Sequence, residues 1–211
     1  RLFNYTNPVN IVAQAVADNS AIKVVSLCEG PIVYPQYLAV AADLDPEHLE
    51  AMSIGLNHGS WSIRHRYKGE DVMPLVHAAW ERKKDDPNVD PRHKRLLAMT
   101  VAHDSIPSEY FQYYLFKDDV LAELQAKPTT RSQDILAQVP DYWTHYREQA
   151  ETDCPTLDPA RSRGGIHELE LAIDVMDAIY NDRKEVWPVN VPNHGSIADL
   201  PDTTVVETLG Y

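Results

Sequence analysis

Basic side chains are scarce in this sequence: 19 Lys and Arg stand against 32 Asp and Glu, a formal net charge of −13 over 211 residues. The longest unbroken basic run, Arg82-Lys83-Lys84, is answered at once by Asp85-Asp86. A phosphate backbone would be repelled, which excludes nucleic acid as an expected partner. Long apolar runs are missing as well. The longest near-apolar stretch, Tyr37 to Ala42, falls far short of the roughly 20 residues a membrane-spanning helix needs, so no membrane partner is expected. Two cysteines, Cys28 and Cys154, offer no disulfide framework, and a reducing, cytoplasmic compartment is the simpler expectation. Glycine is thin, at 8 residues. With no glycine-rich loop between a strand and a helix, the chain carries no dinucleotide or P-loop fingerprint of its own.

What is present is the composition of a globular protein, 44% hydrophobic and 24% charged, long enough to bury a core without staples. Asn7-Pro8 followed by Val9, Ile11, Val12 and Val16 reads as a turn into a helix, with proline in a first turn where its missing N–H is harmless. The β-branched run Ile22 to Leu27 reads as a strand, ended by Cys28-Glu29-Gly30-Pro31, and Ile32 to Ala42 as a helix. Met52 to Leu56 and Ser60 to Tyr67 predict two strands, closed by the turn Lys68-Gly69-Glu70. From Pro74 to about Ala150 the pattern is helical, with Tyr110, Tyr113, Tyr114, Val120, Leu121 and Leu124 expected as a core stripe. A last helix is predicted from Ile166 to about Tyr180, then strands at Val186 to Val191 and Thr204 to Val206. No repeat or low-complexity linker interrupts the chain, so the expectation is one α+β unit of small mixed sheets and packed helices.

Two residues stand where chemistry tends to be placed. Cys28 and His58 each lie just past a predicted strand, and a thiolate with an imidazole could hold a transition metal with open positions. The plainer alternative for Cys28 is a small buried hydrophobe. In the last helix, at about 100° per residue, Leu169, Ala172, Ile173, Met176, Ile179 and Tyr180 fill one arc, and Glu170, Asp174 and Asp177 the opposite one. Glu168 falls at the edge of the apolar arc, where a first-turn carboxylate either complements the helix dipole or works in a site. His167 points toward the acidic side. His65, His77, His93, His103 and His145 have no ligand spacing and read as surface or satisfied core residues.

These pieces occur in one order that resembles the C-terminal, catalytic portion of glycoside hydrolase family 4, the NAD- and metal-dependent glycosidases. The matching segments are Thr6-Asn7-Pro8, Leu27-Cys28-Glu29, Gly55-Leu56-Asn57-His58 with Trp61, Arg163-Gly164-Gly165, Tyr180-Asn181-Asp182, and Pro188-Val189-Asn190 through Asn193-His194-Gly195-Ser196-Ile197 to Leu200-Pro201. The resemblance implies a fold like the C-terminal domain of lactate dehydrogenase and the family 4 enzymes. Residues 1–211 would then be the metal- and sugar-binding domain of a longer protein. The chain starts at Arg1 rather than Met, and the NAD-binding domain is expected upstream of it. By resemblance Cys28 and His58 take the metal-ligand positions, usually for manganese, while Asn7, Asn57 and Asn193 face the sugar, and Glu29 is placed to protonate the leaving group.

The implied reaction departs from two-carboxylate glycoside hydrolysis. It runs through oxidation of the sugar at C3 by NAD, loss of the acidified C2 proton to a base, elimination of the aglycone, addition of water and return of the hydride. Family members place a tyrosine base five residues after the Arg of the Arg-Gly-Gly element, where this chain has Glu168 preceded by His167. Either Glu168 replaces the tyrosine or activity is altered or lost in this branch. Phosphorylated-sugar branches carry an Arg where this chain has Val191-Pro192-Asn193, so the substrate is a 6-phosphoglucoside or a related unphosphorylated glycoside. A homodimer or homotetramer is expected. Two other readings are a 2-hydroxy-acid dehydrogenase relative and a non-catalytic sugar-sensing or oligomerisation module.

Overall fold

The structure, a computed structural model, describes residues 1–162 and 166–210, and for residues 166–170 it describes the backbone alone. The described chain divides into two compact units, Arg1–Leu115 with Leu171–Tyr211, and Phe116–Glu170, although no linker in the sequence announces the division. The first unit holds a sheet of seven described strands: β1 (Leu2–Asn4), β2 (Val24–Ser26), β3 (Leu49–Leu56), β4 (Gly59–Tyr67), β5 (Glu70–Asp71), β6 (Trp187–Pro192) and β7 (Val205–Gly210). Their order is β1-β2-β6-β7-β3-β4-β5. Only the β1–β2 pair is parallel, and those two strands are joined through helix α1 (Val9–Asn19). The α+β expectation holds, with the strands gathered into one mixed sheet.

Strand side chains alternate between two faces, and each face has its own cover. On one, Ala13 of α1 packs with Val24 and Val205. On the other, Leu171, Ala172 and Val175 of the final helix pack with Leu27 and Val189. In the first unit the chain runs on from β2 through α2 (Gly30–Ala41), α3 (Met73–Lys83), α4 (Pro91–His103) and the short α5 (Gln112–Leu115). Helix α2 opens with Pro31 in its first turn and buries Tyr34, Leu38, Ala39 and Ala41. The second unit contains α6 (Lys117–Gln125) and α7 (Arg131–Ala150). Thr130 and Gln133 form a reciprocal capping box at the start of α7, which satisfies N–H groups the helix cannot pair itself. Buried His145 accepts the Asp158 N–H at 3.0 Å, the satisfied histidine its spacing suggested.

Two stripes depart from the sequence reading. In α8 (Ile166–Tyr180) the described buried face is Leu171, Ala172, Val175 and Ala178, while Ile173, Ile179 and Tyr180 are exposed. The helix is apolar over more than one side, so periodicity alone misplaced the centre of the packed arc. In the tyrosine stripe Val120 is buried, but Tyr110, Tyr113, Tyr114, Leu121 and Leu124 are exposed. The chain there breaks into a 3-10 turn (Glu109–Phe111), a four-residue α5 and a separate α6, so no single helix exists to align those residues.

One row of the sheet is polar and buried. Cross-strand pairing links Asn4 to Ser26, Ser26 to Asn190, Asn190 to Glu207, Glu207 to Gly55 and Gly55 to Ser60. Asn4, Ser26, Asn190, Glu207 and Ser60 are all buried. Cys28 follows the row's Ser26 by two residues, held there by fully buried Leu27, whose N–H donates to the Asn4 carbonyl at 2.9 Å. Leu27→Ala removes the anchor of that segment from the core shared with α8. It is expected to cost about 2–5 kcal/mol, the range for emptying a packed leucine site, read as a lower urea midpoint of the same protein.

Candidate functional site

Cys28 and His58 are 30 residues apart in the chain, and the structure brings Cys28 Sγ to 3.5 Å from His58 Nε2. Cys28 lies in the short link between β2 and α2. His58 lies in the two-residue turn joining β3 to β4, with φ at 63°, a conformation uncommon for a residue with a Cβ. The neighbouring Gly55 has φ at 154°, and a Cβ there would meet the Gly59 carbonyl and Ser60 Cα at 2.6 Å. Only glycine lets the hairpin fold this closely on itself.

The turn is held from outside by the segment after α4. Ser62 N–H donates to the Ile106 carbonyl at 2.8 Å, and Ser108 N–H to the Ser60 carbonyl at 2.8 Å. Ser108 Oγ donates to the His58 carbonyl at 2.9 Å. The Tyr110 ring lies on the His58 imidazole, centroids 4.4 Å apart and planes tilted by 33°. Tyr110 thus serves the histidine instead of a helical core. Trp61 stacks on Phe111 at 4.8 Å.

Burial pushes the Cys28 thiol up, with Glu207 and Glu29 adding to the effect, against the Gly30 N–H and the Asn57 amide, which draw it down. Burial also pushes His58 down, which favours a neutral imidazole with a free lone pair. Nitrogen and sulfur donors at about 2.0–2.3 Å from one ion stand roughly 3–4 Å apart, and the observed pair meets that spacing. Among the described residues no cluster of three or more His, Cys, Asp or Glu is placed to hold a metal. A divalent cation held by Cys28 and His58 alone would keep positions open for water or substrate oxygens.

Behind the turn stands a residue that the sequence reading passed over. Glu207, in β7, is 1% exposed. Its Oε1 accepts from Asn57 Nδ2 at 3.1 Å and its Oε2 from Ser60 Oγ at 2.6 Å, and Asn190 of β6 pairs opposite it in the sheet. The Asn190 Oδ1 is buried without a partner. The available signal was a single carboxylate inside the strand-forming run Val205-Val206-Glu207-Thr208-Leu209.

The other expected site residues are distributed unevenly. Glu29 adjoins Cys28 at the N-cap of α2. Asn57, expected to face the sugar, is engaged with Glu207. Asn7 is exposed in the turn before α1. Asn193 corrects the expectation of a sugar contact: it is fully buried, its Nδ2 donating to the Ile197 and Leu200 carbonyls at 2.8 and 2.9 Å and its Oδ1 accepting the Ile197 N–H at 2.7 Å. It closes its own loop. Arg163, Gly164 and Gly165 lie outside the described residues. So do the side chains of His167 and Glu168, whose backbone is helical. Among the described residues no helix is long and apolar enough to cross a membrane.

A family model described as the family 4 glycosyl hydrolase C-terminal domain matches residues 53–211. A probable 6-phospho-beta-glucosidase of Bacillus subtilis is 30% identical, over 98% of this chain and 48% of that protein. A 6-phospho-alpha-glucosidase from gut microorganisms, solved with NAD and glucose-6-phosphate, superposes with a TM-score of 0.75 at 26% identity, over 99% of this chain and 50% of that one. The 6-phospho-beta glucosidase of Thermotoga maritima, solved with manganese, NAD+ and glucose-6-phosphate, gives a TM-score of 0.71 at 24% identity, over 99% of this chain and 48% of that one, a likeness of fold. The chain spans about half the length of the curated relatives it matches.

Burial raises the Glu207 carboxyl above its ordinary range, and the bonds from Ser60 and Asn57 only partly offset that. The folded chain therefore keeps this proton to higher pH than the unfolded chain. The associated stability is fully present below the unfolded value of about 4.3 and is lost as pH rises through the raised folded value. Glu207→Gln cannot ionise. Its urea midpoint is expected to decline less than the wild type's between about pH 4 and about pH 8, and equal declines would refute the linkage.

Proposed function

The chain belongs to the family 4 glycosyl hydrolases, whose C-terminal domain it matches, and from that premise we propose that it is the metal- and sugar-binding half of an NAD-dependent glycosidase. The observation that carries the reading is the convergence of Cys28 Sγ and His58 Nε2 at 3.5 Å. These two atoms hold a divalent cation, manganese foremost. NAD, bound by a domain outside residues 1–211, supplies reversible oxidation of the sugar, and the cation supplies polarisation of the sugar oxygens.

The chain's own residues then do the following. Cys28 and His58 fix the point at which the sugar's vicinal oxygens are gripped. Tyr110, lying on the imidazole, and Ser108, on the His58 carbonyl, keep that donor from turning away. Glu29, beside Cys28, protonates the departing glycosidic oxygen. Glu168, at the family's base position, removes the C2 proton, a task suited to a carboxylate once that proton has been acidified. Asn7, exposed before α1, contacts the sugar hydroxyls. The substrate class is a glucoside, 6-phosphorylated or not. The relatives' names favour phosphate, while Val191-Pro192-Asn193 presents no cation to one. The protein works in the cytoplasm as a homodimer or homotetramer, a reading favoured by its free Cys28 and Cys154 and by exposed apolar side chains such as Ile11.

The full-length protein, given NAD and Mn²⁺, is expected to cleave aryl glucosides or their 6-phosphates with exchange of the C2 proton into solvent, and residues 1–211 alone to be inactive. Cys28→Ser and Glu168→Gln are each expected to lower kcat/KM by about 10²-fold or more. Wild-type rates in both variants would remove the proposal, and comparing the two substrates decides the phosphate question.

A further inference from the structure

We propose that Glu207 is a positioning residue for the Cys28–His58 pair, holding the His58 turn by its two ends through Asn57 and Ser60. The inference rests on the reading of that pair as metal ligands. Asn57 immediately precedes His58, and Ser60 follows it by two residues. One carboxylate accepts from both, at 3.1 and 2.6 Å. The turn between them carries a histidine at φ 63°, a conformation that persists only where the surroundings over-determine it. A buried carboxylate suits that task. It is an acceptor on both oxygens, its hydrogen bonds are the stronger charge-assisted kind while it is ionised, and at 1% exposure water does not compete for them.

Glu207 is itself fixed. Its strand pairs on one side with Asn190 and on the other with Gly55, so its backbone cannot shift without moving β3 and β6. Its side-chain hydrogen bonds go to Asn57 and Ser60, and among the described residues none joins it to Cys28 or His58. It acts through Asn57 and Ser60 on where His58 Nε2 stands relative to Cys28 Sγ. Outer residues of this kind typically change metal affinity by about 10–100-fold when removed.

The test uses the full-length protein, with titration of Mn²⁺ by calorimetry and of Co²⁺ by absorption, where a thiolate ligand produces a near-ultraviolet charge-transfer band. Glu207→Gln keeps one oxygen acceptor where the carboxylate had two, so Asn57 and Ser60 no longer both donate to it as they do to Glu207. It is expected to keep the wild-type circular dichroism, bind Mn²⁺ about 10–100-fold more weakly, and shift or weaken the cobalt band. Ser60→Ala, a small change that removes one of the two bonds, is expected to move both readouts in the same direction, and it decides the matter if Glu207→Gln does not fold. Wild-type Mn²⁺ affinity and an unchanged cobalt band in these variants, with both lost in Cys28→Ser, would overturn the positioning role and leave the metal site standing. Unchanged Mn²⁺ affinity in Cys28→Ser, with no thiolate band in the wild type, would overturn the metal site and the positioning role together.

Discussion

A carboxylate buried in the middle of a sheet is the constraint around which this fold is arranged. Removing such a group from water is costly unless its oxygens find donors, and the cost grows if it stays ionised. Glu207 meets the requirement with Asn57 and Ser60 from the β3–β4 hairpin. Each donor dictates something further. The hairpin must come close enough for both Asn57 and Ser60 to reach one side chain, and that approach leaves no room for a Cβ at position 55. Asn190 in turn sits opposite Ser26, which accepts from Asn4 Nδ2 at 3.1 Å. The polar row is thus a chain of consequences running from one buried carboxyl group toward the sheet's edge.

The two faces of the sheet divide the work. Val24 and Val205, which flank the polar row, are covered by Ala13 of α1, and α1 is pinned further by Gln14, whose Oε1 accepts the Val205 N–H at 2.7 Å. The opposite face, with Val189 and Leu27, is closed by apolar residues of α8. An apolar core with no polar atoms supplies most of the stabilisation. The polar face contributes little net energy but sets register, because a slip of one residue would move Glu207 to the wrong side.

Much of this was legible in the sequence. Periodicity located α1, α2, α8 and the long hairpin within a few residues, since each has a proline or glycine signal at an end. Cys28 and His58 were found because both follow strands, a local property. Glu207 was not, because its meaning lies in two partners about 150 residues away in the chain, and a lone glutamate in a strand reads as a solvent-facing residue. Asn193 misled for the opposite reason. Its motif resembles a ligand-binding one, yet every side-chain bond it makes is to its own loop, a role for which Asn is equally suited. The tyrosines of residues 110–114 keep helical spacing across a backbone that is not one helix, so spacing carried no information about burial.

Few glycines are present, and two of them sit beside the candidate metal ligands for related steric reasons. Gly55 permits the tight hairpin. At Gly30 a Cβ would collide with the Tyr34 ring at 2.7 Å, so the start of α2 is free of a side chain where Tyr34 folds back over it. Tyr34 packs edge-on against Tyr110, ring centroids 6.2 Å apart, and Tyr110 lies on the His58 imidazole. Helix α2, which begins two residues after Cys28, is therefore linked to the turn that carries His58 by a route separate from Glu207, through two aromatic rings. With one tie, either loop could pivot about it and the two donor atoms would drift apart. A second route restrains that pivot, so donors on two irregular segments keep their 3.5 Å spacing.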